Sequence, residues 1–277
     1  MNSQVNYTKN IVYMTNESYL KHTYTSMFSL KYNKRRGVFY DVYLLCIEFE
    51  DIKEIANLDS FDFRIKPIFI KNNIFRCSDN EGVVYYKLLL HNLIDVNYLF
   101  HIDSDTVVID DVSDIFDIDI TEYYCGAVKD KINGLSYFNA GNVYFNLKKI
   151  RESVINDTDT MYVFFEKLNK YLRLERKCFL WEQDVLNVAF KDSVKFIHYG
   201  YNFLVNTYSQ YRFSELCRIY GEHIDYTKLK ILHYASNPKP WNQLNLFGEI
   251  WKMYNDNNID KNKEQKILRM ACRGFHK

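Results

Sequence analysis

Glycine and proline are scarce in this chain, with nine glycines and three prolines in 277 residues. No Ser/Gly linker, internal repeat or low-complexity segment divides it. An excess of one charge is missing too. Lys and Arg number 36 against 35 for Asp and Glu, so no global field is available to attract nucleic acid. None of the six cysteines (Cys46, Cys77, Cys125, Cys178, Cys217, Cys272) stands in a CxxC pair, which removes a zinc ribbon. Set mostly among apolar neighbours, they read as reduced thiols of a cytosolic protein. No apolar run approaches the roughly 18 residues of a membrane span, and the first twenty residues lack the pattern of a signal peptide. These absences lead to the expectation of a cytoplasmic protein.

What is present is a large apolar fraction, 47%, and an alternation of strand-like and helix-like segments. Residues 10–14, 38–49, 65–70 and 98–103 read as strands, as do "CGAVKD" (125–130) and "NVYFNLKKI" (142–150). Helical periodicity marks 18–33, 83–94, 159–174 and 182–191, and "DIKEIANLDS" (51–60) reads as a short helix. Strands alternating with helices predict an α/β fold with a largely parallel, doubly wound sheet. The expected organisation is one domain over 1–250 with a basic C-terminal extension over 251–277.

The stretch "YLFHIDSDTVV" (98–108) places Asp103 and Asp105 at the end of an apolar run. In a strand, residues two apart share a face, so both carboxylates would converge where open α/β sheets bind ligands. Two close carboxylates repel unless one is protonated or a cation lies between them, and hard divalent ions suit oxygen donors. A calcium loop is excluded because the third acidic ligand and the glycine are missing at the required positions. Two further readings compete. A haloacid-dehalogenase-type phosphatase would use Asp103 as nucleophile in D-x-D-x-T. A glycoside hydrolase would need carboxylates flanking a bond from two sides, for which one strand is a poor platform. A pair of turn-capping aspartates is the plain structural alternative.

Other segments separate these readings. "IVYMTNESY" (11–19), the D-x-D, "YFNAGNVYFNLKK" (137–149), "WEQDVLN" (181–187) and "HYASNPKPW" (233–241) occur in an order that resembles glycosyltransferase family 8. That family includes glycogenin and bacterial lipopolysaccharide galactosyl- and glucosyltransferases, and the likeness spans roughly residues 11–245. It implies a GT-A fold, a Rossmann-like mixed sheet flanked by helices. It also implies a retaining enzyme that uses Mn²⁺, with Mg²⁺ as the alternative, to move glucose or galactose from a UDP-sugar. The acceptor would be a carbohydrate, a glycolipid or a protein hydroxyl. A catalytically inactive nucleotide-sugar-binding module is the other class of reading.

By this resemblance Asp103, Asp105 and His233 are the metal ligands, and Asp103 and Ser104 also belong to the donor site. His101, two residues before Asp103, is either a further ligand or packing beneath the nucleotide. Asn16 and Tyr19 correspond to the residues that hydrogen-bond and stack on uracil, with Thr15 beside them. Lys239 and Ser236 correspond to the diphosphate loop, and Lys87 to a basic helix position facing diphosphate and sugar. The family often has glycine where Ser236 stands. Asn139 and Gln183 correspond to sugar-binding residues, and Glu182 replaces the aspartate usual before this glutamine. Gln183, Glu182 and Lys87 form the expected catalytic set, while Asp184 is expected to support the helix start. "YNFLVNTYSQY" (201–211) resembles the tyrosine-bearing loop of glycogenin, making Tyr208 a candidate self-acceptor. In the tail, Lys261, Lys263, Lys266, Arg269, Arg273 and Lys277 with Ile267, Leu268 and Met270 suggest a peripheral contact with anionic lipid. A homodimer is allowed by the sequence.

Overall fold

The computed structural model describes residues 8–75, 81–130, 136–156, 159–174, 180–205, 224–235, 237–242 and 246–273. Ser236 and Tyr208 lie outside the described residues. The strands are β1 (Lys9–Thr15), β2 (Tyr40–Ile47), β3 (Phe63–Ile70), β4 (Tyr98–Ile102), β5 (Thr106–Val108), β6 (Cys125–Lys129), β7 (Phe138–Asn146), β8 (Val154–Asn156), β9 (Asp159–Thr160), β10 (Val194–Ile197), β11 (Phe203–Leu204) and β12 (Ile231–His233). The helices are α1 (Leu20–Asn33), α2 (Lys53–Ala56), α3 (Leu90–Leu93), α4 (Leu147–Glu152), α5 (Met161–Leu174), α6 (Glu182–Ala189), α7 (Leu246–Asn255) and α8 (Lys261–Arg273).

A seven-stranded sheet runs in the order β10-β6-β7-β4-β1-β2-β3. Pairing is parallel between β1 and its neighbours β2 and β4, and antiparallel on both sides of β7. The sheet is therefore mixed, as the GT-A expectation had it, rather than wholly parallel. Its central strands are buried on both faces and read as continuous apolar runs. In β1, Ile11 and Tyr13 enter one core while Val12 and Met14 enter the other. The first core is closed by α1, α7 and α8 through Met27, Leu30, Ile250, Trp251 and Ile267. The second is closed by α3, α4, α5 and α6 through Leu90, Leu147, Ile150, Phe165, Val185 and Leu186. Each such buried side chain contributes about 1.5–3 kcal/mol. Cys46 and Cys125 are buried free thiols, and burial pushes the Cys46 thiol up to about 12.

Three expectations shift. Residues 81–89 form a 3-10 helix that passes into α3, where periodicity predicted a longer helix over 83–94. The strand read over 142–150 begins at Phe138 and stops at Asn146, whose side chain accepts a hydrogen bond from the Lys149 N–H and caps α4. The tail is not a free apolar-and-basic surface. Ile267 and Leu268 are buried and only Met270 of that trio is exposed. The expected boundary at residue 250 falls inside α7, against which α8 packs. Among the described residues, no helix is long and apolar enough to cross a membrane.

A second sheet, ordered β11-β12-β5, positions the site. β12 runs antiparallel to β5 with His233 opposite Thr106, so the histidine arrives beside Asp105 from the far end of the sequence.

Candidate active site

Asp103 and Asp105 lie in the turn between β4 and β5, not within a strand. Their convergence comes from how that turn is pinned. Thr106 Oγ1 donates to the Asp103 carbonyl at 2.8 Å, Asn142 Oδ1 accepts from the Asp103 N–H at 3.1 Å, and the Tyr234 N–H donates to the Asp105 carbonyl at 2.9 Å. His233 Nε2 then stands 3.3 Å from Asp105 Oδ1 and 3.7 Å from Asp103 Oδ2. Ligand atoms of Asp103, Asp105 and His233 all lie within 4.8 Å of one another, close enough to hold one metal ion. His101 is fully buried behind this group, 3.6 Å from Asp103 Oδ1. Burial, aided by the Lys87 ammonium, holds its imidazole well below its usual range, so it is neutral.

A glycine makes the histidine's approach feasible. A Cβ on Gly141 in β7 would lie 2.1 Å from the His233 ring carbon Cε1, inside any real contact. The sequence motif "FNAGN" therefore carries its glycine to make room for the His233 ring, a role that sequence reading did not assign.

Two ammonium groups flank the carboxylates. Lys87, in the 3-10 helix and buried, lies 3.2 Å from Asp103 and 2.8 Å from Glu182. Burial alone would lower its pKa, but the two carboxylates outweigh this and raise it. Lys239 Nζ is 2.6 Å from Asp105 Oδ2 and donates to the Tyr234 and Ala235 carbonyls. Burial pushes the Asp105 carboxyl up, but Lys239 and His233 overcome it and hold it below the usual carboxylate range. Asp103 goes the other way. Burial pushes it up to about 6, with Asp105 adding to the rise, and Lys87 only partly compensates.

The residues expected on the sugar side sit next to this centre. Trp181 has φ 50 and ψ −126, a strained backbone for a non-glycine residue, and turns the chain into α6 with Glu182 and Gln183 buried. Gln183 Oε1 accepts from Asn139 Nδ2 at 3.0 Å and from the Ala140 N–H at 2.9 Å. Asp184 accepts from the Leu180 N–H at 2.7 Å and from the hydroxyl of Tyr137, the residue before β7, so it braces the start of α6.

On the expected base side, Asn16 Oδ1 caps a 3-10 turn by accepting from the Tyr19 N–H at 3.0 Å. Thr15 and Ser104 turn inward and share hydrogen bonds with Thr23, at 2.8 and 2.9 Å. Their hydroxyls serve the scaffold. Tyr19 stands edge-on to Trp241 at 5.9 Å, and His22 stacks on Trp241 at 3.6 Å. This stack fixes the loop carrying Lys239 against α1. The structure thus brings Lys87, Asp103, Asp105, Asn139, Glu182, Gln183, His233 and Lys239 into one connected group. Sequence reading missed Asn142 and Asn202, both buried within it.

Comparison with known proteins agrees with this geometry. The model of "Glycosyl transferase family 8" matches residues 10–245, and the chain belongs to that family. Glycosyltransferase GlyF of Streptococcus pneumoniae is 25% identical over 259 residues, covering 90% of this chain and 61% of GlyF. This chain therefore spans about three fifths of that relative's length. The lipopolysaccharide 1,2-glucosyltransferase of Escherichia coli is 24% identical over 269 residues, covering 87% of this chain and 75% of that protein. Among solved structures, the pneumococcal glycosyltransferase GlyE superposes with a TM-score of 0.70 at 23% identity, over 95% of this chain and 63% of that one. The galactosyltransferase LgtC, solved with donor and acceptor sugar analogs, gives 0.70 at 18% identity over 93% and 99%. These likenesses establish the GT-A fold.

Proposed function

We propose that the chain is a metal-dependent, retaining hexosyltransferase that takes glucose or galactose from a UDP-sugar and passes it to a glycan, lipid-linked or protein hydroxyl. The observation that carries this reading is the convergence of Asp103, Asp105 and His233 within 4.8 Å, flanked by Lys87 and Lys239. Two carboxylates and one imidazole suit Mn²⁺, with Mg²⁺ the harder alternative. The glycine cradle under His233 supports the fit, because it brings the ring to the carboxylates. When bound, the ion supplies Lewis-acid stabilisation of charge on the departing diphosphate.

The chain's own residues divide the remaining work. Lys239 is a point charge at the mouth of the carboxylate pair, suited to a phosphate oxygen. Lys87 holds Asp103 and Glu182 together, so the metal side and the sugar side keep a fixed spacing. Gln183 and Asn139 form a polar floor for a hexose, and Glu182 offers a carboxylate to its hydroxyls. An amide at Gln183 is a poor nucleophile. This favours front-face transfer, in which the leaving phosphate takes the acceptor proton and configuration at the anomeric carbon is kept. The domain reading has the transferase unit over 1–250 and the extension over 251–277, with α7 spanning that boundary and α8 packed against it.

Purified protein incubated with a panel of UDP-sugars should release UDP in the presence of Mn²⁺. EDTA should abolish release, and Mn²⁺ should restore it better than Ca²⁺, whose longer bonds suit a looser cage. Equal UDP release in EDTA and in Mn²⁺ would overturn the metal-dependent reading. No release from any UDP-hexose, with or without glycan acceptors, would overturn the donor assignment.

A further inference from the structure

A chain of side-chain amides connects the sugar side to the metal side, and its polarity can be read from backbone groups that cannot flip. A backbone N–H only donates. The Ala140 N–H points at Gln183 Oε1 at 2.9 Å, and the Gly141 N–H points at Asn139 Oδ1 at 2.9 Å. Both atoms are therefore oxygens that accept. It follows that Asn139 donates through Nδ2 to Gln183 at 3.0 Å, and that Asn202 donates through Nδ2 to Asn139 Oδ1 at 2.8 Å. The remaining atom of the Asn202 amide, Oδ1, lies 2.8 Å from His233 Nδ1.

A second path reaches the same result. The Asp103 N–H donates to Asn142 Oδ1 at 3.1 Å, so Asn142 Nδ2 is its donor side. That nitrogen faces the Tyr201 carbonyl at 3.0 Å and Asn202 Oδ1 at 3.2 Å. Two independent backbone anchors thus make Asn202 Oδ1 an acceptor. His233 Nδ1 must carry the proton, and the Nε2 lone pair faces Asp103 and Asp105.

We infer that Asn202 is a positioning residue that locks His233 in its Nδ1–H tautomer, presenting Nε2 as a metal-ready donor, and that it ties this choice to the sugar-side amides Asn139 and Gln183. This deepens the proposed metal site and rests on it. The fully buried Asn202 touches neither carboxylate and would not be picked out by ligand chemistry alone. Partners of this kind typically change metal affinity by about 10–100-fold when lost.

The tautomer is directly measurable. In protein with ¹⁵N-labelled histidine, without metal and at alkaline pH, the His233 signal can be assigned by its loss in His233→Gln. It should show Nδ1 protonated and Nε2 bare, and the reverse pattern would overturn the inference without reference to activity. In the second arm, Mn²⁺ affinity in the presence of UDP is measured by the loss of the free-ion paramagnetic resonance signal. Asn202→Ala should weaken it by about tenfold or more. Asn202→Asp keeps an oxygen acceptor for Nδ1–H and should stay near wild type, while losing the donor to Asn139. Wild-type affinity in Asn202→Ala would overturn the positioning role. Absence of Mn²⁺ binding by the wild-type protein would instead overturn the proposed metal dependence and leave the tautomer result standing.

Discussion

Two buried clusters of charge in this protein are built on opposite principles. Under α8, Glu264 is wholly buried and accepts from Lys261 at 2.6 Å and from the Tyr254 hydroxyl at 2.7 Å, while Lys261 also reaches Asn33 and the Ile109 carbonyl. One carboxylate meets one ammonium, and the spare donors find neutral acceptors. At the β4–β5 turn, three carboxylates (Asp103, Asp105, Glu182) meet two ammonium groups (Lys87, Lys239). Burial raises the Asp103 carboxyl, and the neighbouring Asp105 and Glu182 carboxylates add to the rise. The first cluster is a closed structural account of α8. The second has one carboxylate more than it has ammonium groups, and the proposed cation would offset that surplus.

Substitutions in each cluster should separate the two. Asp105→Asn keeps shape and removes charge from the surplus cluster. Turnover should fall by at least about 100-fold, the scale of losing a main electrostatic stabiliser, with the melting temperature little changed. Full UDP release by this variant in EDTA would refute the metal assignment. In the closed cluster the pattern should invert. Glu264→Ala should cost about 2 kcal/mol through the lost ion pair and hydrogen bond, a drop of roughly 5 °C in melting temperature, while UDP release per folded molecule stays the same. A large loss of turnover there would mean that α8 reaches the reaction.

The pH response follows from Asp103. Its folded carboxyl is raised to about 6, so below that pH it holds a proton that an incoming cation must displace. The sign is opposite to acid unfolding: a raised carboxyl pKa lets the folded state bind the proton better than the unfolded chain, so acid weakens metal binding here without costing stability through this group. Mn²⁺ affinity should be flat above neutrality and fall by up to about tenfold per pH unit below about 6. An affinity flat down to pH 4 would remove Asp103 from the ligand set. The smallest effect is expected for Glu182→Asp. Shortening the side chain stretches its 2.8 Å contact with Lys87. It should change the ratio of rates with UDP-glucose and UDP-galactose severalfold, about 1 kcal/mol, and an unaltered ratio would place Glu182 away from the sugar.

Much of this was legible in the sequence where chemistry is concentrated in adjacent residues. The D-x-D, "FNAGN", "EQD" and the His–Lys segment each mark their place, and β1, β2, β3 and α1 follow from apolar runs and periodicity. The illegible parts depend on distant partners. The β5, β11 and β12 strands are two or three residues long, too short for any period to show, yet they deliver His233. The same-face argument for Asp103 and Asp105 reached the right neighbourhood through the wrong element, since a turn and not a strand aims them. Asn202 sits in "YNF", a stretch with nothing to set it apart from an ordinary aromatic strand. Ile267 and Leu268 of the tail read as lipid-facing because α7, against which α8 packs, cannot be inferred from the tail itself.

The close approach of Gly141 to the His233 ring carries a consequence for mutational tolerance. In a saturation library, position 141 should behave like a metal ligand although it offers no donor atom. Even alanine, the mildest replacement, places a methyl group 2.1 Å from a ring carbon, and the ring can yield only by leaving its hydrogen bond to Asn202. A map of intolerance would therefore flag four positions around the proposed ion site, and one of them would be marked by the volume it withholds rather than by any group it contributes.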